Sequence, residues 1–249
     1  MLLLLGALAI VGTIYALVNT STAARAAGSP PSETAVEEGK ALYLEGCASC
    51  HGLNAEGTSV APSLIGAGAA SVHFQVSTGR MPVAAPAVQI ERKEPTYDEA
   101  QTAALAAYIA SLGPGPAIPT AEELDTTNAD LAVGGELFRT NCAQCHNFAG
   151  SGAALTEGKY APSLMESTPQ QVYEAMLTGP QNMPVFGNGT LSVGEKQDIL
   201  KYVGHLQTQT QPGGWSLGSF GPVVEGALLF TLGLGLMAGF AVWIGAKVR

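Results

Sequence analysis

The strongest constraint in this chain is a pentapeptide that occurs twice, Cys47-Ala48-Ser49-Cys50-His51 and Cys142-Ala143-Gln144-Cys145-His146. Both read C-x-x-C-H, the attachment pattern of a c-type haem. The spacing has a chemical reason. Two thiols on one helical turn can each add to a vinyl group of the same porphyrin, and the histidine directly after them comes under the iron as proximal ligand. These two motifs use all four cysteines of the chain. A C-x-x-C redox disulfide has no need of a histidine after the second cysteine at both places. A zinc site made of two such knuckles usually spaces them by about 15–20 residues, far less than the stretch from Cys50 to Cys142. The motifs therefore predict two covalently bound haem c groups, attached at Cys47 and Cys50 and at Cys142 and Cys145, with His51 and His146 as axial ligands.

Length alone admits one large domain or two small ones, and the repeated motif decides for two. Domains this small bury modest cores, to which a covalently held haem adds a large apolar body. Charged residues make up only 12% of the chain and the formal net charge is −9. That balance argues against nucleic acid and against an anionic membrane surface, and suits a basic patch on a protein partner.

The ends are apolar. Residues 1–20 read as an N-terminal transmembrane helix, since no charge occurs from Leu2 to Val18. A cleavable signal peptide competes, because Ala24-Arg25-Ala26 resembles a cleavage site; the missing basic start and the long apolar run favour a retained anchor. Residues 21–32 form a tether, 33–112 the first haem domain, 113–120 a Pro/Gly linker, 121–210 the second haem domain and 211–222 a connector. Residues 223–249 form a C-terminal transmembrane helix, in which Gly226 to Ala246 suffice to cross a bilayer. Gly235 and Gly239 give it a G-x-x-x-G spacing that admits close approach of another helix. Lys247 and Arg249 place its end in the cytoplasm by the positive-inside bias. The expected location is thus the cell membrane, among its lipids, with two spans and both termini cytoplasmic. Both haem domains face the extracytoplasmic side, where haem attachment is completed.

The halves match beyond the haem motif. Gly39 with Tyr43 returns as Gly134 with Phe138, on the helix leading into each motif. Ala61-Pro62-Ser63-Leu64 returns as Ala161-Pro162-Ser163-Leu164, and Gly79-Arg80-Met81-Pro82 as Gln181-Asn182-Met183-Pro184. Leu105 with Tyr108 corresponds to Ile199 with Tyr202 on a closing helix. Matched stations in the same order amount to a duplicated domain.

Each half resembles a class I cytochrome c, which implies an all-α fold of two tandem class I cytochrome c domains between the terminal transmembrane helices. In that family the leading and closing helices cross through a glycine and an aromatic, because glycine lets backbones approach and the aromatic fills the groove. The resemblance puts this crossing at Gly39, Tyr43, Leu105 and Tyr108, and again at Gly134, Phe138, Ile199 and Tyr202. It also implies that a carbonyl at Pro62 or Pro162 holds the free ring nitrogen of the proximal histidine.

Met81 and Met183 are the candidate sixth ligands of the iron. The following proline disfavours helix at each and holds it in an extended loop, whereas Met176 sits in a helical periodicity and reads as core. A thioether is a soft, neutral ligand that raises the potential. Neither His73 nor His205 has a histidine at the matching place in the other repeat. His73 is open to a bis-histidine alternative at the first haem, against an ordinary surface or packing role.

Six-coordinate irons leave no position for a substrate, so no catalytic residue is expected and the chain should pass single electrons between partners. The arrangement is similar to the dihaem cytochrome cc subunit of the actinobacterial menaquinol–cytochrome c reductase, the cytochrome bcc complex. The telling stretches are Ala61-Pro62-Ser63-Leu64-Ile65-Gly66, Thr78-Gly79-Arg80-Met81-Pro82 and Gly221-Pro222-Val223-Val224-Glu225-Gly226. The resemblance implies as partners a cytochrome b subunit, a Rieske iron–sulfur subunit and a cytochrome aa-type oxidase in one supercomplex. It also implies an electron-transfer role within a translocase, without a substrate-turnover site of the chain's own. Two alternatives stand beside it: a tethered dihaem carrier for another oxidase or reductase, and a dihaem peroxidase, which needs one five-coordinate haem.

Overall fold

The computed structural model describes residue 6 and residues 8–13, 32–209 and 222–247. The described part of the expected N-terminal span is helical and exposed. The rest of that span, the tether as far as residue 31, and residues 210–221 and 248–249 lie outside the described residues.

The first domain opens with α1 (Glu33–Gly46), whose first turn is capped by Ser32. The amide of Cys47 closes α1 by donating to the Tyr43 carbonyl, and the haem motif then forms the single turn α2 (Ala48–His51). Helix α3 spans Gly68–Ser77 and α4 spans Glu99–Ser111, the latter started by a reciprocal cap between Asp98 and Gln101. The second domain repeats the plan. After the short α5 (Ala121–Leu124) come α6 (Leu131–Asn141), capped by Asp130, and the motif turn α7 (Ala143–His146). Helix α8 (Pro169–Thr178) begins with a Thr168–Gln171 box and proline in its first turn, and α9 (Val193–Thr208) with a Ser192–Glu195 box.

In each domain the leading and closing helices cross where the sequence pairs glycine with an aromatic. A methyl group added to Gly39 would lie 1.9 Å from the Ala104 carbonyl oxygen, and one added to Gly134 2.0 Å from that of Asp198. Only glycine fits such an approach. Beside each contact the aromatics pack tilted, Tyr43 on Tyr108 and Phe138 on Tyr202, both with ring centroids 5.3 Å apart. Each crossing anchors its own core: Val76, Leu105 and Ile109 join Tyr43 and Tyr108, while Tyr173, Met176, Ile199 and Val203 join Phe138. Met176 is core, as its periodicity suggested.

The two domains are mostly helical, as expected, with one small addition. In the second domain β1 (Ala153–Ala154) and β2 (Tyr160–Ala161) pair antiparallel. The reason is length: the chain from haem motif to proline runs from His51 to Pro62 in one half but from His146 to Pro162 in the other, and the longer loop closes on itself as a small hairpin. The linker is also more than a spacer. Its Pro116 carbonyl accepts from the Ala70 amide at 3.0 Å, which satisfies a donor in the first turn of α3.

At the C-terminus, α10 (Pro222–Leu228), a π-helical turn at Leu229–Leu234 and α11 (Gly235–Lys247) run on as one rod. Within it Val223–Ala246 has a mean hydropathy of 2.1 and buries nothing against the rest of the chain. By length and composition this helix can cross a membrane. Gly235 and Gly239 both face open space.

Candidate haem sites

Each motif turn presents its thiols and imidazole as its spacing requires. The amides of Cys50 and His51 both donate to the Cys47 carbonyl, at 3.1 and 3.0 Å, and those of Cys145 and His146 to the Cys142 carbonyl, at 3.1 and 2.8 Å. All four cysteines are free thiols. Burial, and then the neighbouring Cys50 or Cys145, pushes the Cys47 and Cys142 thiols up to about 11 each. A redox-active C-x-x-C pair depends on a depressed thiol pKa, so these environments oppose that reading.

The proximal imidazoles are oriented identically. His51 Nδ1 lies 2.8 Å from the Pro62 carbonyl oxygen and His146 Nδ1 lies 2.9 Å from that of Pro162. A carbonyl only accepts, so Nδ1 carries the proton and Nε2 keeps a free lone pair for a metal. Burial pulls the pKa of His146 below its ordinary value, against the opposing pull of the Pro162 carbonyl, and favours the neutral ring a ligand must have. Around each ring the backbone repeats itself. Gly57 and Gly152 donate to the carbonyls of His51 and His146, and Leu64 and Leu164 to those of Ala55 and Gly150.

Each candidate methionine follows a left-handed glycine that ends a helix, Gly79 (φ +66°) after α3 and Gly179 (φ +58°) after α8. Met81 packs against the first core and Met183 against the second. Met183 shares the wall of a cavity of about 220 Å³ with Cys142, Cys145 and His146. Free thiols, a neutral imidazole and a thioether around one apolar space fit a covalently attached haem. His205 sits on α9 against Gln209 and is not among the residues lining this cavity.

His73 has a role that the sequence reading did not identify. It reaches the other domain, with Nδ1 2.8 Å from the fully buried Glu174 carboxylate, which also accepts from Gln170 at 3.0 Å. The first domain's segment between Met81 and α4 crosses the same boundary. The Gln89 side-chain amide pairs with both backbone groups of Tyr160, at 2.7 and 2.8 Å. The Gln181 amide pairs likewise with Ile90, at 3.1 and 3.2 Å. Gln181 holds a φ of +57°, unfavourable for a residue with a Cβ, and these two bonds fix it there. Arg92 donates to the Glu166 carbonyl at 3.1 Å. Arg80, with Phe74, Thr78, Gln89 and Arg92, completes the wall of the second domain's cavity. Its guanidinium lies 5.0 Å above the Phe74 ring, and burial, then the neighbouring Arg92, draws its pKa below the ordinary value. One signal for this boundary lay in the sequence. Residues 82–98 are a longer segment than their counterpart 184–192, and residues 147–161 are longer than 52–61. Both excess segments meet here.

Comparison with known proteins agrees with this geometry. A family model for cytochrome c matches residues 36–113, and one described as cytochrome C oxidase, cbb3-type, subunit III, matches residues 129–203. The chain is similar over nearly its full length to proteins named cytochrome bc1 complex cytochrome c subunit. That of Mycobacterium leprae is 46% identical over 252 residues, covering 99% of this chain and 87% of the relative. That of Mycobacterium tuberculosis strain H37Rv is 46% identical over 251 residues, covering 98% and 89%. That of Corynebacterium diphtheriae is 44% identical over 248 residues, covering 93% and 88%. With two cytochrome c domains, each holding one C-x-x-C-H motif, the protein carries two covalently bound haem c groups. The chain belongs to the family of cytochrome c subunits of the cytochrome bc1 complex.

Proposed function

We propose that this protein is a membrane-anchored relay for single electrons, taking them from the Rieske iron–sulfur centre of a cytochrome bc complex and delivering them to a cytochrome aa-type oxidase held in the same assembly. Haem attached at each motif supplies a one-electron iron couple. Cys47 and Cys50, and Cys142 and Cys145, hold the two groups as thioethers. His51 and Met81 ligate the first iron, and His146 and Met183 the second. The Pro62 and Pro162 carbonyls fix the ring orientation, and the methionine thioethers favour the ferrous state and raise the potential. The C-terminal helix crosses the membrane, and the N-terminal segment 1–20 provides a second span, with both ends cytoplasmic. The domains are 33–112 and 121–210.

The observation that carries this reading is the docking of the two halves. Residues flanking Met81 line the same cavity as Cys142, Cys145, His146 and Met183, an arrangement suited to consecutive stations on one path. The similarity to cytochrome c subunits of the cytochrome bc1 complex supports membership of a bc1-type complex. The test is purification of the tagged protein from its own membranes in mild detergent. Mass spectrometry of the companions and a reduced-minus-oxidised spectrum are the readouts. Cytochrome b, Rieske protein and oxidase are expected to co-purify, with c-, b- and a-type bands together. A chain that emerges alone, with c-type bands only, is a tethered carrier for other partners.

A further inference from the structure

The second domain's cavity is lopsided in charge. Its own domain lines it with thiols, an imidazole, a thioether, amides and apolar groups, and contributes no lysine, arginine, aspartate or glutamate. The charged residues in its wall are Arg80 and Arg92, and both come from the first domain. Arg80 is only 7% exposed. Its guanidinium rests on Phe74, and among the described residues it makes neither a salt bridge nor a hydrogen bond to a protein group. A buried cation without an anion is unfavourable and invites one. A haem carries two propionate carboxylates, and the wall of this cavity offers them no lysine or arginine from its own domain.

We propose that Arg80 and Arg92 bind the carboxylates of the second haem, contributed by the first domain, so that docking of the two domains completes the second haem's site. The guanidinium fork matches a carboxylate in two parallel hydrogen bonds. Phe74 below Arg80 and the Glu166 carbonyl beside Arg92 aim the pair. Neutralising a carboxylate beside the iron disfavours the ferric form, so the two arginines raise the potential of the second haem from across the domain boundary. Arg80 also directly precedes Met81, which puts it one peptide bond from the proposed ligand of the first iron. This inference rests on the attachment of a haem at Cys142 and Cys145.

The experiment is spectroelectrochemical titration of the full-length haem-loaded protein as wild type, Arg80→Gln, Arg92→Gln and Arg80→Lys. Covalent haem is counted per chain in each. The second couple is identified as the one that moves in a Met183→His variant. Each Gln variant should keep two haems and shift the second couple by about tenfold in its reduction equilibrium, ~59 mV lower for one electron, with the first couple moved far less. Arg80→Lys should recover part of the shift. A fall confined to the first couple, or no shift in any variant, overturns the proposal. Arg92 is exposed, so its variant folds even where Arg80→Gln does not. The attachment reading fails separately: a Cys142→Ala, Cys145→Ala chain that still held two covalent haems would overturn that reading and the arginine proposal with it, whereas unmoved potentials in two-haem Gln variants would overturn the arginine proposal alone.

Discussion

At the scale of single residues, the sites depend on side chains with one partner each. Met81 offers a thioether, and a histidine in its place would stabilise ferric iron. Met81→His should lower the first haem's potential by on the order of a tenth of the ~0.8 V that axial ligands command, read by redox titration. An unmoved potential would remove Met81 from the coordination sphere. Tyr43 has a different task. Its hydroxyl donates to the Gly52 carbonyl at 2.6 Å and so pins the residue just after the first haem motif. Tyr43→Phe should cost about 1 kcal/mol at neutral pH, the net worth of such a bond. Burial pushes the Tyr43 hydroxyl up to about 12 from 10.0. A group that keeps its proton longer in the fold adds stability that is complete below the unfolded value and is lost as pH rises through the folded one. The stability difference between wild type and Tyr43→Phe should therefore shrink between about pH 10 and 12, as chemical denaturation at each pH will show. A constant difference would mean that Tyr43 titrates alike in the folded and unfolded chain.

Among the elements, the crossing helices carry the fold, and they were the most legible part of it. A glycine four residues before an aromatic, matched by an apolar residue and a tyrosine on a later helix, has few other uses when it recurs in both halves. The resemblance to class I cytochromes c, not the repeat itself, marked Pro62 and Pro162 as carbonyl partners of the proximal histidines, and both bonds are present. The hairpin was not legible. Strands as short as Ala153–Ala154 and Tyr160–Ala161 carry no alternation to read, and only the excess length of their loop hints at them. Because Gly39 and Gly134 face backbone carbonyls rather than movable side chains, Gly39→Ala or Gly134→Ala must push the helices apart. Each should cost about 3 kcal/mol, the upper range for overpacking, and lower the melting temperature of its own domain. Gly204 on α9 faces open space instead, and Gly204→Ala should stabilise by up to ~1 kcal/mol through helix propensity. Equal effects at Gly134 and Gly204 would show that propensity, not close approach, governs both.

For the whole molecule, the informative places are those where the repeats differ. What the halves share builds two similar haem domains; what each has in excess joins them. The sequence comparison concentrated on shared stations and therefore did not place His73, Gln89, Arg92 or Gln181 at a boundary between the domains. The contact most exposed to test is His73 with Glu174. Glu174 is fully buried, so its carboxylate relies on Gln170 from its own helix and on His73 from the other domain. Removing His73 leaves that carboxylate short of a partner at the boundary, whereas a neutral amide in its place costs less to bury and can still accept from Gln170. His73→Ala should loosen the docking of α3 on α8, and Glu174→Gln in the same chain should restore part of it. The coupling should fall within the ~0.5–3 kcal/mol range of contacting pairs. Amide hydrogen exchange is the suitable readout, because separation of the domains deprotects the Tyr160 and Ile90 amides, which are bonded across the boundary. The amides inside α1 and α4 serve as controls, since they belong to one domain. If exchange at Tyr160 and Ile90 rises no more than in those helices, the domains are held by the glutamine pairs and packing alone. If it rises there and the double variant reverses it, a single buried carboxylate sets how firmly the two haem domains stay together.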